Sequence, residues 1–152
     1  MSDKWLTYVN ENLFFAKLQL QWKDTSSTVA EKQCASRAAL RFLQQAYVGF
    51  LNELAEQRRI KVKVETLADL EGQLEVESPE VISMKLAAAQ SDSWLAQLLK
   101  QFGEISRPRK NETPQNENII AATSAPYAME LAVMLESMQA FINEMREHSF
   151  EW

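Results

Sequence analysis

The sequence predicts an all-α fold, an irregular helical bundle of four main helices plus one or two short helices, and three observations carry that expectation. Glycine and proline number three and four in 152 residues, too few for the many turns of a sheet protein. Apolar residues, 46% of the chain, recur at helical rather than alternating spacing. Residues that cap helices, Thr28, Ser78 and Ser124 among them, stand just ahead of the periodic stretches. The length is that of one ordinary domain, so residues 1–152 are read as a single helical-bundle unit, with a polar surface loop at about 107–118.

Taken in order, the first helix places Trp5, Leu6, Val9, Leu13, Ala16 and Leu20 within about a third of its circumference, which is a core stripe. A second apolar line, Tyr8, Phe15 and Trp22, repeats every seven residues away from the first, with Phe14 and Leu18 beside it. Only Thr7, Asn10, Lys17 and Gln21 are left as a wet edge. The second helix opens at a Thr28–Glu31 capping box and runs to about Arg59. Leu40, Leu43, Tyr47, Phe50, Leu51 and Leu54 share its buried face, and Cys34 is expected to be a small buried residue near its start.

The alternation in IKVKV resembles a strand, but no partner strand is in view, so residues 60–64 are read as an extended connector. A short helix over about 67–74 follows. Ser78-Pro79 then starts a helix through about Gln90 with Ile82, Leu86 and Ala89 as its buried line. SDSWLAQLLKQFGEI begins the next, with Trp94, Leu95, Leu98, Leu99, Phe102 and Ile105 on one side. After the polar loop, a last helix from Ser124, with Pro126 in its first turn, aligns Leu131, Met134, Leu135, Met138, Phe141, Ile142 and Met145.

Composition excludes several chemistries. With one cysteine, no internal disulfide and no cysteine-based zinc site can be assembled from this chain alone, and a reducing cytoplasm is the expected location. No stretch reaches the roughly 18 apolar residues of a membrane span, and the start lacks the pattern of a secretory signal, so a soluble protein without membrane contact is expected. Gly49, Gly72 and Gly103 stand far apart, which removes phosphate-binding glycine loops. His148, the only histidine, lies one helical turn after Glu144. One histidine cannot complete a di-metal bundle, and the pair reads as a helix-surface contact. No catalytic residue, cofactor or metal site is assigned.

Two candidate surfaces remain. The first is the Tyr8, Phe15 and Trp22 line, which either packs beneath the chain that follows Ile105 or forms a protein interface, with a homodimer as its simplest form. The second is basic: Arg37 and Arg41 on the second helix, and Arg58 and Arg59 at its end, as possible nucleic-acid contacts. They are few, without interleaved exposed aromatics, in a chain of formal charge −5, so nucleic acid is the less favoured partner. The charge is uneven: residues 1–64 carry ten Lys/Arg and six Asp/Glu, a net +4, and residues 65–152 carry six and fifteen, a net −9. Such polarity suits attraction between the halves of one bundle, or head-to-tail association of two copies.

The segments NENLFFAKLQL and SDSWLAQLLKQF, the proline-bearing polar loop after the latter, and the ending FEW resemble a small family of gammaproteobacterial proteins of unknown function. That resemblance covers most of the chain and implies a bacterial cytoplasmic origin, but no mechanism. The reading is therefore a non-catalytic protein-interaction or regulatory module that self-associates through the outer line of its first helix. The alternative is a nucleic-acid-associated helical protein.

Overall fold

A computed structural model describes residues 3–108 and 128–149, and the described residues are helical throughout their regular parts. Among the described residues six helices follow in order: α1 (Lys4–Thr25), α2 (Val29–Gln57), α3 (Leu67–Gln73), α4 (Pro79–Ala89), α5 (Trp94–Ile105) and α6 (Leu131–Ser149). No strand occurs among the described residues.

Local chemistry sets most of the boundaries. The hydroxyls of Thr25 and Ser26 both donate to the Trp22 carbonyl and end α1. The Thr28 hydroxyl accepts from the Glu31 N–H to start α2, but donates to the Glu31 carboxylate itself, so only half of the expected capping box forms. The full box is at α3, where Thr66 accepts from the Asp69 N–H and the Asp69 carboxylate accepts from the Thr66 N–H. Ser78, ahead of Pro79, and Ser93 cap α4 and α5. Ser93 also donates to the Ala87 carbonyl, which ties the end of α4 to the start of α5.

α2 stops without a glycine. The N–H of Ile60 donates to the Ala55 carbonyl and that of Arg59 to the Glu56 carbonyl, the paired bonds of a Schellman motif. Arg59 takes the left-handed conformation that the motif demands, at φ 60°.

α1 and α2 form an antiparallel hairpin across a three-residue turn, and its register is visible in two contacts. Tyr8 and Val9 lie against Gly49, and Phe15 lies against Phe42 with ring centroids 5.4 Å apart. Both partners step by seven residues, so the hairpin packs with coiled-coil periodicity. A Cβ at position 49 would stand 2.7 Å from Cδ1 of Tyr8, so glycine is what allows the two backbones this close.

One cluster of buried apolar residues draws on all six helices, from Val9, Leu13 and Ala16 of α1 to Met134, Met138 and Ile142 of α6. The core face expected for α2 is buried, and those expected for α1 and α6 are buried apart from Trp5, Leu6, Leu20, Phe141 and Met145, which are half-buried. The connector 60–64 is not a strand, as expected, and it is held by a side chain. Asn52, itself buried, donates 2.8 Å to the Val64 carbonyl and accepts 2.9 Å from the Val64 N–H. The amide thus does for one residue what a neighbouring strand does for many.

Four expectations need correction. Cys34 is exposed, because this end of α2 turns Ala35 and Ala39 inward instead. On α4 the buried residues are Val81 and Met84, while Ile82, Leu86 and Ala89 are exposed. That short helix is apolar nearly all round, so periodicity selects no face and contacts with α3 and α5 decide. Leu99 is likewise exposed on α5. The last helix begins at Leu131, and Ala128, Met129 and Glu130 before it are not helical. Ser124, Pro126 and most of the polar loop at 107–118 lie outside the described residues.

Candidate functional site

The outer face of α1 emerges from the hairpin geometry. Val9, Leu13 and Ala16 point into the core, and the opposite side of the helix would ordinarily be polar. Here it carries Tyr8, Phe14, Phe15, Leu18 and Trp22, with 38, 55, 36, 43 and 49% of their surfaces exposed. The three residues of the expected line share one side of it, and Phe14 and Leu18 widen the line into a face. From Tyr8 to Trp22 the face runs about 21 Å along the helix.

This face has fixed roots. Tyr8 rests on Gly49 and meets the edge of Trp5 at 5.7 Å, and Phe15 is wedged between Phe14 and Phe42. Rings held on one side and open on the other lose little freedom on meeting a partner. Glu11 is the charged residue within the face, and it is exposed.

The basic candidates separate. Arg37 is half-buried and lines a groove of about 430 Å³ with Lys32, Ser36, Leu40 and, from α5, Glu104 and Ile105. Arg41 is exposed one turn further on. Arg58 and Arg59 lie about 30 Å along α2 from Arg37, and Arg58 is 3.5 Å from Glu80 of α4. The four residues form two small groups, one of them already beside a carboxylate.

His148 and Glu144 approach to 3.9 Å with both side chains more than half exposed, a surface contact of the last turns of α6. The buried charged contact, unmarked by the sequence, is Glu53 with Arg146. The guanidinium spans both carboxylate oxygens at 2.9 and 2.7 Å and donates a third bond of 2.9 Å to Asn10, so one side chain of α6 joins α2 and α1. Its donors are engaged in structure, and so is the amide of Gln97, whose nitrogen donates to the Ser91 carbonyl and whose oxygen accepts from the Met129 N–H ahead of α6. Among the described residues, no three His, Cys, Asp or Glu side chains converge to hold a metal ion, and no helix is long and apolar enough to cross a membrane.

Neither the curated proteins nor the solved structures contain a match to this chain. A family model does match it, over residues 1–152 and so over every element described above; the chain belongs to the Family of unknown function (DUF6586).

Proposed function

We propose that the chain is a non-catalytic protein-interaction module and that it presents the outer face of α1 to a second copy of itself. The observation that carries this reading is the partial exposure of five large apolar side chains on α1 outside its core stripe. Given aromatic side chains of roughly 150–250 Å², they leave about 400 Å² of apolar surface open, within the range at which a patch on a single chain is often functional. Two such faces together with their polar margins approach the roughly 1,200 Å² at which specific interfaces begin. In this reading the protein works in the bacterial cytoplasm, where an exposed cysteine stays reduced.

The test is molar mass by light scattering with Phe15→Gln and Trp22→Gln together. The substitutions should reduce the mass of the particle by at least half and leave the helical circular dichroism unchanged. Because Phe15 also packs on Phe42, a second pair, Phe14→Gln with Leu18→Gln, removes two exposed side chains of the face and leaves the Phe15–Phe42 contact of the hairpin in place. If both pairs leave the mass at the wild-type value, the reading is wrong.

A further inference from the structure

The two connectors that flank α3 carry opposite chemistry. Ahead of it stand Lys61, Val62 and Lys63, all exposed, with 59% of Val62 open. Behind it stand Glu75, Val76 and Glu77, also exposed, with Val76 at 74% the most open of the large apolar residues described. Among the described residues neither the two lysines nor the two glutamates come within ion-pair distance of a partner, although the Lys85 pKa, held up first by Glu71 at 2.7 Å, is held up also by Glu77; Asp69 is taken up in the cap of α3. Val76 thus offers a branched aliphatic side chain to solvent between two carboxylates.

Beside the basic connector is a receptacle. A groove of about 420 Å³ runs between residues 62–64 and α3, lined by Val62, Lys63, Val64, Ala68, Asp69, Gly72 and Gln73. Val64, Ala68 and Gly72 make its small, apolar part, and a Cβ on Gly72 would meet nothing within 4 Å beyond its chain neighbours and the backbone of its own helix. The groove has room for a branched aliphatic side chain, with Lys63 on its rim and Lys61 close by. A valine flanked by two carboxylates matches it in size and in charge, and this chain displays one at the other end of the same helix.

We propose that Val76 of one copy seats in the groove beside α3 of another, with Glu75 and Glu77 meeting Lys61 and Lys63. The two halves of the contact lie on either side of a seven-residue helix, so a single two-fold axis lets each copy give and receive it. The contact is small, its charges are solvated, and it is weakened by salt. It lies apart from α1 and does not depend on the reading given above for that face.

Position-specific cross-linking tests it without relying on mass. In chains carrying Cys34→Ser, one bears Gly72→Cys and the other Val76→Cys, and the two are mixed under mild oxidation. Mixed covalent dimers should form at least tenfold faster than dimers of either chain alone. Lys61→Glu with Lys63→Glu on the Gly72→Cys chain should abolish that advantage. Glu75→Lys with Glu77→Lys on the Val76→Cys chain should then restore it. All these positions are exposed, so the fold should survive, which circular dichroism checks. Cross-linking no faster than for Val76→Cys paired with Asp24→Cys on α1, or insensitive to the charge exchange, overturns the proposal. Either result leaves the α1 reading to stand or fall on its own test.

Discussion

Tyr47 sits in the core against Trp94, and burial pushes its pKa up to about 12 from the usual 10. A phenol that holds its proton longer in the folded chain than in the unfolded one contributes stability in full below pH 10. That contribution declines as pH rises from about 10 through about 12, because only the unfolded state has then released the proton. Two units correspond to on the order of 2–3 kcal/mol. Urea unfolding between pH 9 and 12 should therefore show an alkaline loss that Tyr47→Phe removes in part. Residue-scale features of this kind were unevenly legible in the sequence. Thr28 and Ser78 announced helix starts because their hydroxyls act within three residues. Asn52 gave no sign, since its partner Val64 is twelve residues away and nothing in its spacing marks an amide that must be buried. The end of α2 near Arg59 was legible, but its Schellman form was not, because the usual marker, glycine, is missing.

At the scale of the element, the hairpin was more readable than its use. The seven-residue spacing of Tyr8, Phe15 and Trp22 identified a line on the first helix, and it could have been matched with Gly49 and Phe42, which repeat by seven in the reverse direction. Without that match, burial and exposure of the line were equally plausible from the pattern alone. The close approach at Gly49 makes a prediction with a change of sign. Gly49→Ala gains up to about 1 kcal/mol of helix propensity, but must displace Tyr8, for an overpacking cost of roughly 1–3 kcal/mol. The single substitution should be neutral to destabilising in urea, and the same change made in a Tyr8→Ala chain should move toward stabilisation. A missing difference between the two backgrounds would mean that Tyr8 yields freely. α4 shows the limit from the other side: where Val81, Ile82, Met84, Leu86 and three alanines surround a three-turn helix, only the neighbouring helices can say which side is inside.

For the whole molecule, the all-α class followed from composition and periodicity, and the Arg58–Glu80 contact joins the halves in the sense of their net charge, but the most buried bridge between them does not. The first 64 residues are basic and the rest acidic, yet the buried bridge between them is inverted, an acid in the basic half, Glu53, and a base in the acidic half, Arg146. Removing one member of such a pair strands a charge. Arg146→Met should lower unfolding free energy by about 3 kcal/mol, and the double substitution with Glu53→Met should recover much of that loss. Equal losses for single and double variants in urea would show that the pair adds nothing beyond packing.

The same clamp carries a kinetic meaning. Its two ends are 93 residues apart in the chain, whereas the α1 and α2 hairpin closes across a turn of three. Loop-closure entropy favours the near contact first, so the hairpin is the natural nucleus and α6 arrives late, when Glu53 and Asn10 are already side by side to receive it. Arg146 thereby acts as a check on assembly: it finds all three acceptor oxygens only on a hairpin that has closed in the right register.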